Sequence, residues 1–324
     1  MRPAILSLAA GLIAAPCIQH PAFAQPAYPQ KTIRLLVGAV PGGATDILAR
    51  VIGQKLAENL RQQVVIENRP GANQILAAEM TAKSAPDGYT LLMVPSGFAI
   101  NPSIYRKLPF DPVRDFTPLA IVADVPNVLM IHPSLPARSV RDFIALARAH
   151  PGQLSYGSSG VGSPSHLCGE VFKMMTKVSF VHVPYKGSGQ SVIDLIGGHL
   201  QLSFPSIPAS MPHIRSGKLR PLGVTILRRS SSLPDVPTID ESGVKGYEVS
   251  GWYGILGPAN MPRDVVQLLN NEIIRALRSA DVRDSLLGQG AEPVGSKPEE
   301  FTGIIAADLV KWSQVVKTVG LQPE

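Results

Sequence analysis

The sequence predicts a two-lobed α/β fold, each lobe a doubly wound, mostly parallel sheet with helices on both faces and a cleft between the lobes. Three observations carry that expectation. Apolar runs of strand length alternate with helical patterns along most of the chain, the rhythm of βαβ units. Glycine-rich segments join a strand to a helix in both halves, at Pro41 to Asp46 and at Tyr156 to Pro164. Two extended apolar stretches, Leu119 to Ile131 and Tyr247 to Leu256, let the middle of the chain form one lobe while both ends share the other. The expected division is 1–24 as a leader, 25–125 with 249–324 as the first lobe, and 126–248 as the second.

The leader is read from its composition. Arg2 precedes an apolar run from Ala4 to Ala15, and Ala22-Phe23-Ala24 supplies the small residues of a signal-peptidase site, so the mature chain is expected to begin at Gln25. That run is too short to span a bilayer, and no later stretch reaches the length of a membrane helix, so no direct membrane insertion is expected. Cys17 invites a lipoprotein reading, but Pro16 directly before it suits a lipobox poorly, which favours a soluble exported product. Cleavage leaves Cys168 as the only cysteine, and the core must then hold without an intramolecular disulfide. It also removes Arg2 and no acid, so the formal net charge falls from +6 to +5. The excess is spread along the chain, without the basic run and interleaved aromatics of a nucleic-acid binder.

The first unit is a strand at Ile33 to Val37, a turn, and a helix whose apolar positions are Leu48, Val51, Ile52, Leu56 and Leu60. A strand at Gln63 to Glu67, a loop from Asn68 to Asn73, a helix through Met80 and a strand at Thr90 to Val94 follow. Asn101 to Asp115 is proline-rich without a clear period and reads as loop with short helical turns. A helix from Val140 to Ala149 stops at Pro151-Gly152. Three strand-loop-helix units then begin at Leu154, Phe180 and Leu200, and the strand Leu219 to Val224 closes the set. Ser231 to Thr238 is a surface connection, and two long helices finish the chain. The first starts after Pro262; the second has a capping-box pattern in Ser296 and Glu299 and an apolar stripe of Phe301, Ile304, Ile305, Leu309, Trp312 and Val316.

The strand-to-helix loops are the candidate binding elements. The first amides of a helix lack intrahelical partners and carry the positive end of its dipole, and glycines let a ligand approach the backbone, so such a junction binds anions without a basic side chain. In the first half the candidates are Gly42, Gly43, Ala44, Thr45 and Asp46, with Ser96, Gly97 and Phe98 in the matching place after strand Thr90 to Val94. In the second half they are Ser158, Ser159, Gly160, Gly162, Ser163 and His166, where Ser163 suits an N-cap and Pro164 the first helical position. Tyr185, Lys186 and Gly187 add an aromatic wall, a cation and further amides, and Phe204, Pro205 and Ser206 complete that side. Each loop alone is an ordinary glycine turn; two in separate lobes point to a cleft.

Motifs for catalysis and cofactors are missing. There is no Gly-x-Ser-x-Gly elbow, no Walker A sequence and no Gly-x-Gly-x-x-Gly, and Gly-Ser-Ser-Gly at 157–160 only superficially resembles the first. His166, Cys168 and Glu170 alternate, a spacing that points them to different faces of a helix, so no metal site is expected. His182 lies in an apolar strand and reads as a hydrogen-bonded core residue. The leading expectation is a binding protein without catalysis or cofactor. The alternatives are an exported hydrolase using a serine of the 157–163 loop, motivated by Ser158, Ser159 and His166, and a ligand-loaded partner of a membrane sensor.

Taken together, Pro-Gly-Gly-Ala-Thr-Asp at 41–46, Glu-Asn-Arg-Pro-Gly-Ala at 67–72, Pro-Asp-Gly-Tyr-Thr-Leu at 86–91 and Ala-Ile-Asn-Pro-Ser at 99–103 resemble the Bug family. So do Tyr-Gly-Ser-Ser-Gly at 156–160, Val-Pro-Tyr-Lys-Gly at 183–187 and Leu-Pro-Asp-Val-Pro-Thr at 233–238. These are extracytoplasmic solute-binding proteins of tripartite tricarboxylate transporters. The resemblance implies a monomeric periplasmic clamp, similar to the type II binding-protein fold, that captures a small carboxylate and presents it to large and small membrane subunits. It implies that the ligand is held by loop amides, hydroxyls and ordered waters, between Gly42 to Asp46 and Ser158 to Ser163 with Tyr185 to Gly187. The chain departs from the family pattern at Ala39 and Val40, where many relatives have an aromatic and a proline. Asn73 and Gln74 stand where relatives have a glycine pair, and Pro205 where an acid is common.

Overall fold

The computed structural model describes residues 28–249, 251–318 and 320; the expected leader and its cleavage site lie outside the described residues. The first half runs β1 (Ile33–Val37), α1 (Ala44–Leu60), β2 (Val64–Asn68), a 3₁₀ turn (Ala72–Gln74), α2 (Ile75–Ala82), β3 (Thr90–Pro95), α3 (Gly97–Ile104) and β4 (Phe116–Asp124). The middle runs β5 (Val128–Ile131), α4 (Val140–Ala149), β6 (Ser155–Ser158), α5 (Pro164–Thr176), β7 (Val181–Pro184), α6 (Ser188–Ile196), β8 (Leu202–Ser203), α7 (Ile207–Arg215) and β9 (Arg220–Val224). The chain ends with β10 (Trp252–Pro258), α8 (Arg263–Arg278), α9 (Ala280–Gly288), β11 (Glu292–Pro293) and α10 (Pro298–Thr318).

Two sheets result, one ordered β11-β4-β10-β3-β1-β2 and the other β7-β6-β8-β5-β9. β1 pairs parallel with both β2 and β3, and β6 pairs parallel with both β7 and β8. The sheets are mixed and not mostly parallel as the sequence predicts: β11 pairs antiparallel with β4 at one edge, and in each sheet one strand is inserted antiparallel between two others, β10 between β3 and β4 and β5 between β8 and β9. These are the two strands that follow the chain's passages between sheets. The passages run side by side, because the Val125 amide donates to Gly251 O at 2.8 Å and the Thr225 amide to Asn127 O at 3.0 Å.

Period-two patterning assigns the faces. In β1, Ile33, Leu35 and Val37 pack with Leu48, Ile52, Leu269 and Ile273 under α1 and α8, while Leu36 turns to the opposite core with Phe98, Phe301 and Trp312. In β5, Val128 and Met130 join Val192, Leu195 and Met211, whereas Leu129 and Ile131 face Phe143, Phe172 and Phe204. Both sheets are thus covered on both faces.

Three local expectations are corrected. Residues 97–104 form α3 although Pro102 lies inside it, where the sequence reads loop from Asn101. Among the described residues the two expected long helices, α8 and α10, are joined by a short third one, α9, separated from α8 by an extended Ser279. Ser296 does not cap α10: its hydroxyl accepts from the Ile121 amide at 2.9 Å and ties the helix entrance to β4. The capping role passes to Glu300, whose carboxylate accepts from the Lys297 amide at 2.9 Å. Of the apolar stripe, Phe301, Ile305, Trp312 and Val316 are buried and Ile304 is exposed.

Candidate ligand-binding cleft

The turn between β1 and α1 divides its work between two glycines. Gly42 has φ +84°, a left-handed conformation that favours glycine, while Gly43 is extended at φ −80° and is the N-cap of α1. Asp46, in the first turn, reaches back so that its Oδ2 accepts from the Gly42 amide at 3.0 Å, and Arg50 Nε and Asn68 Nδ2 donate to the same carboxylate at 3.0 Å each. Burial alone would raise the Asp46 carboxyl, but the hydrogen bonds from Arg50, the Gly42 amide and Asn68, with the charge of Arg50, hold it below its ordinary range. Gly42 and Asp46 therefore brace the turn and stand outside the cleft lining. Gly43, Ala44 and Thr45 line the cleft, and among the described residues their amides have no hydrogen-bond acceptor.

The second loop is tied to itself. Ser158, fully buried, shares a 2.6 Å hydrogen bond with His182 Nε2 and accepts from the Gly160 amide at 3.1 Å. The Ser159 amide donates to Ser165 Oγ at 2.9 Å, the Gly162 amide to His166 Nδ1 at 2.9 Å, and Ser163 Oγ to Gly160 O at 2.7 Å. Ser163 caps α5 with Pro164 in the first turn, as the sequence predicts. The His166 and His182 rings stack with centroids 4.0 Å apart. Burial pulls both below the usual histidine value, His166 to about 4 and His182 to about 3, so both are neutral near pH 7. Ser159, Gly160 and Ser163 of this loop line the cleft, with Val161 and Pro164; Ser158, Gly162 and His166 form its support.

The third element is the start of α6. Tyr185, Lys186, Gly187 and Ser188 line the cleft, and the Gly187 and Ser188 amides have no acceptor among the described residues. The Tyr185 hydroxyl donates to Asp194 Oδ2 at 2.6 Å, so the ring serves as wall and its polar end is engaged elsewhere. Lys186 is exposed and is the only ionisable cation among the lining residues, which include no aspartate or glutamate. The cleft holds about 530 Å³, a volume suited to a small metabolite.

The remaining sequence candidates are placed elsewhere. Phe98 stacks on Phe110 at 5.9 Å and meets Phe116 edge-on at 5.1 Å in the core. Ser96 is buried and Gly97 packs toward Pro164. Phe204 lies in the core beside Phe172, Pro205 O accepts from the Val128 amide at 3.0 Å, and Ser206 is the N-cap of α7. Each follows a strand end, but the Phe98 and Phe204 rings are drawn into the core by aromatic partners. In their place the cleft takes Gly38, Ala39, Val40, Pro70 to Gln74, Pro95, Tyr105 and Tyr253. Four of these, Ala39, Val40, Asn73 and Gln74, were legible as departures from a family pattern, whereas the approach of Tyr105 and Tyr253 depends on long-range packing.

A serine hydrolase arrangement finds no support in this geometry. Ser159 Oγ is 3.0 Å from Ser165 Oγ, the serine that meets a histidine is the buried Ser158, and His166 accepts from a backbone amide. Among the described residues no group of three or more His, Cys, Asp or Glu is placed to hold a metal ion, and no helix is long and apolar enough to cross a membrane.

Comparison with known proteins agrees with this architecture. Residues 48–321 match the model of the tripartite tricarboxylate transporter family receptor, TctC. Protein BugT of Bordetella pertussis is 38% identical over 295 residues, covering 90% of each chain. An R. palustris protein solved with adipate superposes with a TM-score of 0.90 at 39% identity, covering 92% of this chain and 100% of that one. MatC from Rhodopseudomonas palustris with bound malate superposes with a TM-score of 0.84 at 31% identity, covering 89% and 100%. The protein has the two-lobed α/β fold of periplasmic binding proteins, and the chain belongs to the tripartite tricarboxylate transporter family receptors.

Proposed function

We propose that this protein captures a small carboxylate in the periplasm and delivers it to the large and small membrane subunits of a tripartite tricarboxylate transporter. The observation that carries the reading is the convergence of the α1, α5 and α6 N-termini on one cleft that has no acidic lining residue. Helix termini and unengaged amides hold an anion with little help from fixed cations. The similar proteins solved with adipate and malate support the ligand class. In this reading residues 25–125 with 249–324 and residues 126–248 are the two lobes, the crossings at Val125 to Asn127 and near Gly251 are the hinges, and the monomer is the working unit.

A thermal-shift screen of mono-, di- and tricarboxylates tests it. A ligand that binds only the folded protein adds about 2.7 kcal/mol of stability at a hundredfold excess over Kd. Carboxylates should raise the melting temperature and neutral sugars and metal ions should not. A shift with a sugar or a cation and with no carboxylate would contradict the reading.

A further inference from the structure

Two hydroxyl groups of the cleft lining are left without a partner inside the protein. They belong to Tyr253 and Thr45, which are 9% and 4% exposed. Tyr28, Tyr156, Tyr185 and Tyr247 each donate their hydroxyl to an oxygen of the protein, and the Tyr89 hydroxyl accepts from the Gln30 amide. The Tyr253 hydroxyl has no hydrogen-bond partner among the described residues, and neither has Thr45 Oγ1. Both differ from Gln74 Oε1, Ser96 Oγ and Ser206 Oγ, which are unpaired and sealed from solvent. The Tyr253 and Thr45 oxygens keep an opening, and the cleft is the cavity that both residues line.

The backbone holds these oxygens in place. β10 is buried along its length, and Tyr253 is paired on both sides, with Pro95 of β3 and Ala123 of β4. Thr45 stands in the first turn of α1 next to the Gly43 and Ala44 amides, and Ala44 belongs to the same core cluster as Tyr253. A donor fixed by a strand or a helix loses little freedom when a ligand arrives. Burial pushes the Tyr253 phenol well above its ordinary range, so it stays protonated and offers a hydrogen. The lining contains no aspartate or glutamate to accept it, and the acceptor that gains most from such a donor is an anionic oxygen of the ligand.

We infer that Tyr253 is a ligand-contacting residue whose hydroxyl donates to the bound carboxylate, with Thr45 Oγ1 as a second neutral donor. The inference rests on the carboxylate reading of the cleft. It adds to the helix N-termini a side chain from β10, the strand that follows the crossing near Gly251.

The test uses Tyr253→Phe and Thr45→Val, which remove one oxygen each and keep the shape of the side chain. Neither oxygen bonds within the protein, so each ligand-free variant should melt within about 2 °C of the wild type or above it. Calorimetric titration with succinate, malate and adipate then reads the ligand contact. For the acid that binds the wild type most tightly, Tyr253→Phe should lose about tenfold in affinity and Thr45→Val about fivefold. A loss below about twofold in either variant overturns the assignment of that residue and leaves the carboxylate reading intact. A melting temperature lowered by more than about 2 °C also overturns it, because the hydroxyl would then serve the fold. Failure of all three acids to bind the wild type overturns the inference and the carboxylate reading together.

Discussion

The Gly42 amide donates to Asp46 Oδ2 at 3.0 Å, so the residue after Pro41 is locked to the first turn of α1 and the next three amides are left facing the cleft. Asp46→Ala should therefore lower folding stability by about 1–3 kcal/mol and weaken carboxylate binding at the same time. Its contribution is fully present above the unfolded carboxyl value of 3.8 and is lost as pH falls through the lower folded value. Urea titrations at neutral and acid pH would check the sign: the gap between wild type and variant should narrow in acid.

The stacked His166 and His182 make stability sensitive to mild acid. Their folded values, about 4 and about 3, lie below the unfolded value of 6.5, so between these limits the unfolded chain binds protons that the native state refuses. Stability should fall as pH drops from 6.5 toward 4. Melting curves across that interval should show the decline, and it should shrink in His182→Gln; a flat profile would count against the buried, neutral pair.

Cys168 is fully buried, and burial pushes its thiol up to about 12. Thiolate is the reactive species, so Cys168 should resist alkylation in the folded protein and react promptly in denaturant. Intact mass after timed labelling measures this directly. Rapid labelling of native protein would mean that the α5 packing opens easily.

If the crossings at Val125 to Asn127 and near Gly251 are hinges, ligand should close the lobes about them. Small-angle scattering should show a smaller radius of gyration at saturation. An unchanged radius would indicate a cleft that is already closed without ligand.

Much of the fold was legible because its determinants are local. The strand Ile33–Val37, the cap formed by Ser163 and Pro164, and the helix Val140–Ala149 follow from apolar period, capping chemistry and the Pro151-Gly152 stop. The loops that approach the cleft were legible for the same reason. Which side chain in a loop faces the ligand was not, since Phe98 and Phe204 are drawn into the core by aromatic partners distant in sequence. The left-handed run at Ala72 to Gln74 was hidden because no propensity favours it; tertiary packing imposes it.

The central claim is that backbone amides at the start of α1, rather than a lysine, hold the carboxylate, and the paired titration of Gly43→Val and Lys186→Ala tests it most directly. Gly43 is extended, and an added Cβ would meet only Val40 O at 3.7 Å, so valine is tolerated by the fold and acts by obstructing the amides. Gly43→Val should lose about a hundredfold in affinity, because several charge-assisted hydrogen bonds are blocked together. Lys186→Ala should lose about fivefold or less, because an exposed lysine contributes a screened interaction. With both variants folded by circular dichroism, loss of binding in Lys186→Ala and retention in Gly43→Val would contradict the account and assign the anion to a side-chain cation.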